Sequence, residues 1–316
     1  MIAFFANLFG YILNFLYELV QNYGLAIILF SVLVKLIMLP ISIKQQKTMK
    51  KSAKIQEEMK QIQFKYKNEP EKLNQEVMSL YKRENMSPFS GCFSSIVQII
   101  LLFSVFYLVR SPLTYMKKID SSAINEMKSI VQEKGATRGY EEIAIIDYVR
   151  NLESQSSVSE TQDSENSEKV EEGQEQENKF NINDYAQKIN MNMDFLGVDL
   201  SKVPSQDAKD IKVFIIPALY VISSFISIRI STSTTLNKNK VNAQSDENGE
   251  QEVDAMAQSN KMMNWMMPIM SVSIASIAPL GLALYWLMNN ILMIAERLTA
   301  NKFIKEDDDK EAIKDA

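Results

Sequence analysis

The 316-residue chain has no histidine and one cysteine, Cys92. Without histidine there is no imidazole to act as a base near neutral pH or to activate that thiol. One cysteine closes no disulfide, and a Cys/His metal site has nothing to be built from. The sequence offers no nucleophile–base set and no phosphate-cradling glycine loop. The expectation is therefore a protein that is not an enzyme, with no catalytic residue, metal or cofactor. A net charge of −5 gives no electrostatic footprint for nucleic acid, so no specific nucleic-acid partner is expected. The first 22 residues contain neither Lys nor Arg, so they lack the basic start of a secretory leader.

What is present is a set of long apolar runs separated by charged blocks. "LAIILFSVLVKLIMLPISI", Leu25–Ile43, is long enough to cross a bilayer as a helix and carries a single charge, Lys35. Four further apolar segments follow. The expected layout has transmembrane helices at 23–43, 89–111, 212–231, 262–279 and 280–296. The last two meet at Pro279-Leu280-Gly281, a turn signal, and both are short, so four spans with a re-entrant hairpin stays open. In segment 1–22, Asn7, Asn14, Glu18 and Gln21 recur at helical spacing, with Phe5, Leu8, Phe9, Ile12, Leu16 and Leu19 on the other side. This reads as an amphipathic helix in the interface plane, with an uncleaved signal anchor as the alternative.

The segment "KQQKTMKKSAKIQEEMKQIQFKYK" follows the first span, and basic loops stay in the cytoplasm. That puts the N-terminus outside and the C-terminus inside. In 44–88, Ile55, Met59, Ile62 and Tyr66 form one helical stripe, "NEP" at Asn68–Pro70 interrupts it, and Leu73, Val77 and Leu80 resume it. A cytoplasmic coiled-coil hairpin is expected. Residues 112–211 form an extracytoplasmic loop with weakly helical pieces, and its acidic insert 151–179 lacks the apolar content to fold. A polar cytoplasmic linker, 232–261, and an acidic tail, 297–316, complete the chain.

With that orientation, hydrophilic residues gather in the inner halves of the spans. Ser31, Lys35 and Ser42 share one side of the first; Gln98 lies early in the second; Ser227 ends the third; Asn289 ends the fifth. An intramembrane cation needs a polar partner or water. The pooled pattern points to an all-α membrane protein of five helices around a hydrophilic groove open to the cytoplasm, with Lys35 near its floor. Snorkelling of Lys35 to the inner interface, and serines bonded only to their own backbone, are the competing readings.

These residues resemble the YidC/Oxa/Alb membrane protein insertases. "YGLAIILFSVLVKLIMLP" resembles the first core span of that family, with Lys35 where a groove arginine usually stands. "NMSPFSGCFSSIVQ" is similar to the start of the next span, matching at Gly91, Cys92 and Gln98. "PLGLALYWLMNN" resembles the last-span signature, Tyr285, Trp286 and Asn289 included. The departures are Ser94 and Ile100 in place of prolines, Ser227 in place of a glutamine, and an acidic tail. The resemblance implies a bacterial plasma-membrane insertase and chaperone. It would receive nascent membrane proteins in a groove that includes Tyr285 and Trp286 and release their helices into the bilayer. It implies the hairpin, through Met59, Tyr66 and Met78, as a first receiver, and the ribosome and the Sec translocon as partners.

Overall fold

A computed structural model describes residues 1–84, 90–133, 140–159, 182–239 and 273–314. Residues 262–272 of the expected fourth span at 262–279, most of the acidic insert and most of the 232–261 linker lie outside the described residues. So does the side chain of Gln98. The described chain is mostly helical. Its helices are α1 (Ile2–Val20), α2 (Tyr23–Lys65), α3 (Pro70–Arg83), α4 (Ser90–Arg110), α5 (Pro112–Tyr115), α6 (Ser121–Glu133), α7 (Glu141–Ser159), α8 (Ala186–Ile189), α9 (Ile215–Asn239), α10, described at 273–277, and α11 (Leu280–Lys314). A hairpin of β1 (Asp194–Phe195) and β2 (Val198–Asp199) is the described sheet. By length and hydropathy, Ile2–Val20, Tyr23–Thr48 and Ile211–Ile230 are each able to cross a membrane, and Ile99–Arg110 is a shorter apolar stretch.

The chain divides into two compact units. The first comprises Met1–Ser31, Phe103–Val221 and Ile269–Met288; the second comprises Val32–Leu102, Ile222–Pro268 and Asn289–Ala316.

In the first unit, the 112–211 segment holds more packed structure than its sequence promised. Ala123, Ile124, Met127 and Val131 repeat at helical spacing on α6 and are buried, as are Ile143 to Ile146 and Val149 on α7, and the two helices pack together. Ile189, Met191, Met193, Leu200 and Val203 extend this core. The β1–β2 turn places Leu196 and Gly197 at φ 53° and 77°, the two positive values of a type I′ hairpin. α1 buries Ala6, Phe9, Gly10, Leu13 and Tyr17 and exposes Phe4, Tyr11 and Phe15. Its packed stripe is therefore not the one that side-chain polarity marks. Gly10 explains the difference: a Cβ there would sit 1.8 Å from the Tyr115 carbonyl oxygen, so only glycine lets α5 lie this close.

Helix ends in this unit are closed by distant groups. Asn22 caps α2 by accepting from the Leu25 N–H, while its own amide donates to the Asp194 carbonyl at 2.7 Å. The first turn of α11 has orphan N–H groups. Leu280 and Gly281 donate theirs to the carbonyls of Lys202 and Leu200. α5 has no side-chain cap of its own. The buried Glu142 supplies one from α7, accepting from the Thr114 N–H at 2.9 Å and its hydroxyl at 2.6 Å.

Glu142 carries a testable consequence. Burial pushes its carboxyl above the ordinary glutamate range, opposed by the two Thr114 bonds, the Leu113 amide and Lys128. The folded form thus holds the proton more readily than the unfolded chain. The stability this group contributes is full below the unfolded-state value and is lost as pH rises through the higher folded-state value. Glu142→Gln should flatten that part of the stability–pH curve, followed by thermal unfolding in detergent; an unchanged slope contradicts the assignment. Glu142→Ala strands the Thr114 amide and should cost about 1–3 kcal/mol at low pH, and less as pH rises.

In the second unit, α2 continues through Pro40, which removes one rung of the ladder without ending the helix, and stops at Lys65. Pro70 opens α3 at a position where its missing N–H costs nothing. Ile55 and Leu80 are buried, and Arg83 forms an ion pair with Glu58, so the end of α3 lies beside α2.

Candidate functional site

The polar residues of the second unit converge on one carboxylate. Glu296, on α11, is 6 % exposed. Its Oε2 lies 2.5 Å from the Lys35 ammonium, and its Oε1 accepts from the Ser42 hydroxyl and, at 2.7 Å, from the Gln46 amide. Lys35, Ser42 and Gln46 fall seven and four residues apart, close to whole helical turns, so they share one face of α2. By the rise of an α-helix, Gln46 is about 16 Å further along the axis than Lys35. A carboxylate touching all three draws the lysine stem along its own helix toward the Gln46 end. The lysine side chain keeps 19 % exposure. Two opposite charges and two neutral donors thus satisfy one another, which is the condition under which burial of an ion is tolerated.

The adjacent side of α11, one residue round the helix, faces α9. Asn290 donates its amide to the Ser224 hydroxyl at 2.8 Å and, more weakly, to Ser223 at 3.4 Å. Arg297, seven residues on, donates to the Ser227 carbonyl at 3.3 Å. The two rows on α11 differ by one residue: Asn289 and Glu296 form one, Asn290 and Arg297 the other. Each keeps its side over two turns because seven residues nearly close two helical turns.

Of the residues singled out from sequence, Lys35 and Ser42 are brought together, through Glu296. Ser227 is buried against α11 by its backbone, and Asn289 is half-buried. Ser31, Tyr285 and Trp286 belong to the first unit. Ser31 is buried and donates at 2.7 Å to the Ile27 carbonyl of its own helix, the local bond that serines in apolar helices often make. Tyr285 is buried, and the Trp286 ring lies 5.8 Å from that of Tyr220. In the same unit Ala26, Ile27, Phe30, Leu108, Leu282, Ala283 and Leu284 are all buried. In the α2–α3 segment, Met59 and Tyr66 are half-buried, Met78 is 52 % exposed and Phe64 is 71 % exposed.

Glu296 and Gln46 are the residues that sequence reasoning missed. Glu296 stands beside Arg297 at the end of an apolar run, where charge reads as an interface boundary. The signal that could have found it is its seven-residue spacing from Asn289, which places both on one side of α11.

Residues 15–308 match the family described as 60Kd inner membrane protein. Over 297 residues, 94 % of this chain, the sequence is 26 % identical to a protein named membrane protein insertase YidC from Chlorobaculum parvum. It is 27 % identical over the same length to the protein of that name from Chlorobaculum tepidum. A stretch of 109 residues, 34 % of this chain and 53 % of the relative, is 38 % identical to a protein of that name from Caldanaerobacter subterraneus. The chain spans 36 % of the length of each Chlorobaculum relative.

Proposed function

The chain belongs to the 60Kd inner membrane protein family, the YidC/Oxa/Alb group, and from that premise we propose that it inserts other proteins into the bacterial membrane. The observation that carries this reading is the buried Lys35–Glu296 pair, ringed by Ser42 and Gln46, on a helix whose Tyr23–Thr48 stretch is apolar enough to span a bilayer. A helix facing lipid on all sides has no use for such a cluster. A groove that admits water and polar peptide does.

The proposed groove opens to the cytoplasm between five spanning helices, with the N-terminus outside and the C-terminus inside. Lys35, Ser42, Ser227 and Asn289 line it, joined by Gln98 and, through the family resemblance, by Ser31, Tyr285 and Trp286. A translocated tail must shed water from its backbone and charges, at several kcal/mol for each unpaired group. A polar path covering part of the membrane shortens the dry distance. The Lys35 ammonium attracts acidic side chains of the tail, more strongly than it would in bulk water. The client's apolar segment then leaves into lipid, and the cycle needs no nucleotide and no covalent step.

The α2–α3 hairpin is proposed as the first receiver. Phe64 and Met78 expose apolar surface there, and methionine adapts to varied partners. Nascent membrane proteins are the proposed clients, with the ribosome and the Sec translocon as proposed partners. Reconstitution into liposomes tests the reading. Single-span clients synthesised in their presence should show tails protected from added protease. Solute or ion flux with no protected tail would overturn insertion in favour of transport. Deleting Ser52–Arg83 should lower the yield of protected tails, and an unchanged yield would remove the receiver role.

A further inference from the structure

Lys35, the cation proposed to attract acidic client residues, is already occupied. Glu296 touches it at 2.5 Å, is almost fully buried, and takes two further hydrogen bonds from α2. An acidic side chain of a client presents the same chemical group to the same ammonium. We propose that Glu296 is a resident competitor: its carboxylate holds Lys35 in the empty groove and must be exchanged for a client carboxylate before the tail engages. The inference rests on the insertase reading above and adds to it a determinant of which tails are admitted.

The geometry supports exchange over permanent neutralisation. Lys35 keeps a fifth of its side chain exposed, so the residue is not sealed inside the protein. When the lysine turns away, the Ser42 and Gln46 donors stay on Glu296 and offset part of the cost of leaving it. The lysine head is a compact charge on a flexible stem with three donors, able to bridge two carboxylates during the exchange. Arg297 stays engaged with the Ser227 carbonyl of α9, so the neighbouring cation is not free to take its place. The competitor therefore sets a threshold: one acidic residue in a tail meets opposition, and tails with no acidic residue gain nothing from Lys35.

The test uses full-length protein in liposomes and two clients that differ by one residue in the translocated tail, Asp or Asn. The readout is the ratio of protected Asp-tail to protected Asn-tail, which cancels any general loss of folded protein. Glu296→Gln keeps the shape and the hydrogen-bonding capacity and removes the competing charge. It should raise the ratio by about tenfold, the value of one charge-assisted hydrogen bond gained without competition. Glu296→Asp keeps the charge and should leave the ratio near that of the unaltered protein. Lys35→Ala leaves the carboxylate alone and should drive the ratio below one. A Glu296→Gln ratio equal to or below the unaltered one, in a protein that still protects both tails, overturns the competitor. Protection of neither tail by the unaltered protein instead overturns the insertase reading.

Discussion

Lys35→Ala is expected to lower stability by about 3–5 kcal/mol, the usual cost of breaking a buried ion pair from one side. Glu296 would remain inside α11 with only the Ser42 hydroxyl and the Gln46 amide as partners. The reverse change, Glu296→Ala, should cost less, because Lys35 is long and partly exposed and can reach water. Removing both charges in Lys35→Met/Glu296→Leu should restore stability to near the starting value or above it, since apolar pairs of similar size often replace buried ion pairs without loss. The same double variant should nonetheless lose its preference for acidic tails. Thermal unfolding in detergent reads the first effect and tail protection in liposomes the second. A double variant as unstable as Lys35→Ala would show that the two residues are not energetically coupled.

The second large effect is expected in the first unit. Ala283 is completely buried between Leu282 and Leu284 on α11, amid the apolar side chains of that unit. Ala283→Lys adds three further carbons and an ammonium to a fully buried position. Overpacking costs about 1–3 kcal/mol, and an unpaired buried charge adds several more unless it is neutralised. The sum exceeds the margin of many proteins, so the expected result is loss of the folded protein after detergent extraction. Ile211→Lys is the matched control: Ile211 is largely exposed, next to Lys212, and this change should shift the unfolding temperature little. Comparable expression and melting of the two variants would contradict the packing described at Ala283.

Ser31 and Glu296 show from opposite sides how little local spacing says about a helix's neighbours. Ser31 looked like a groove residue because it stands four positions before Lys35. In the structure its hydroxyl bonds Ile27, in the same helix, and no partner from another element is required to explain it. Serine can always close that bond with the preceding turn, so its spacing says little about what lies opposite. Glu296 looked like a boundary charge and is the residue on which Lys35, Ser42 and Gln46 meet. Its neighbours in sequence carry no trace of α2, because packing between helices far apart in the chain is a property of their faces and not of either segment alone.

By itself, the sequence determined the apolar lengths, the breaks at Asn68–Pro70 and Pro279–Gly281, the family, and the need for something polar beside Lys35. Each follows from one-dimensional terms: the thickness of a bilayer, the turn preferences of proline and glycine, and the cost of a lone cation in hydrocarbon. Only the tertiary structure decided that a glutamate meets that need, that Gly10 selects the packed stripe of α1, and that 112–211 builds a core. Those outcomes depend on which surfaces approach within a few ångströms. Dispersion, hydrogen bonding and ion pairing act over that range, and the order of residues along the chain does not contain the distance.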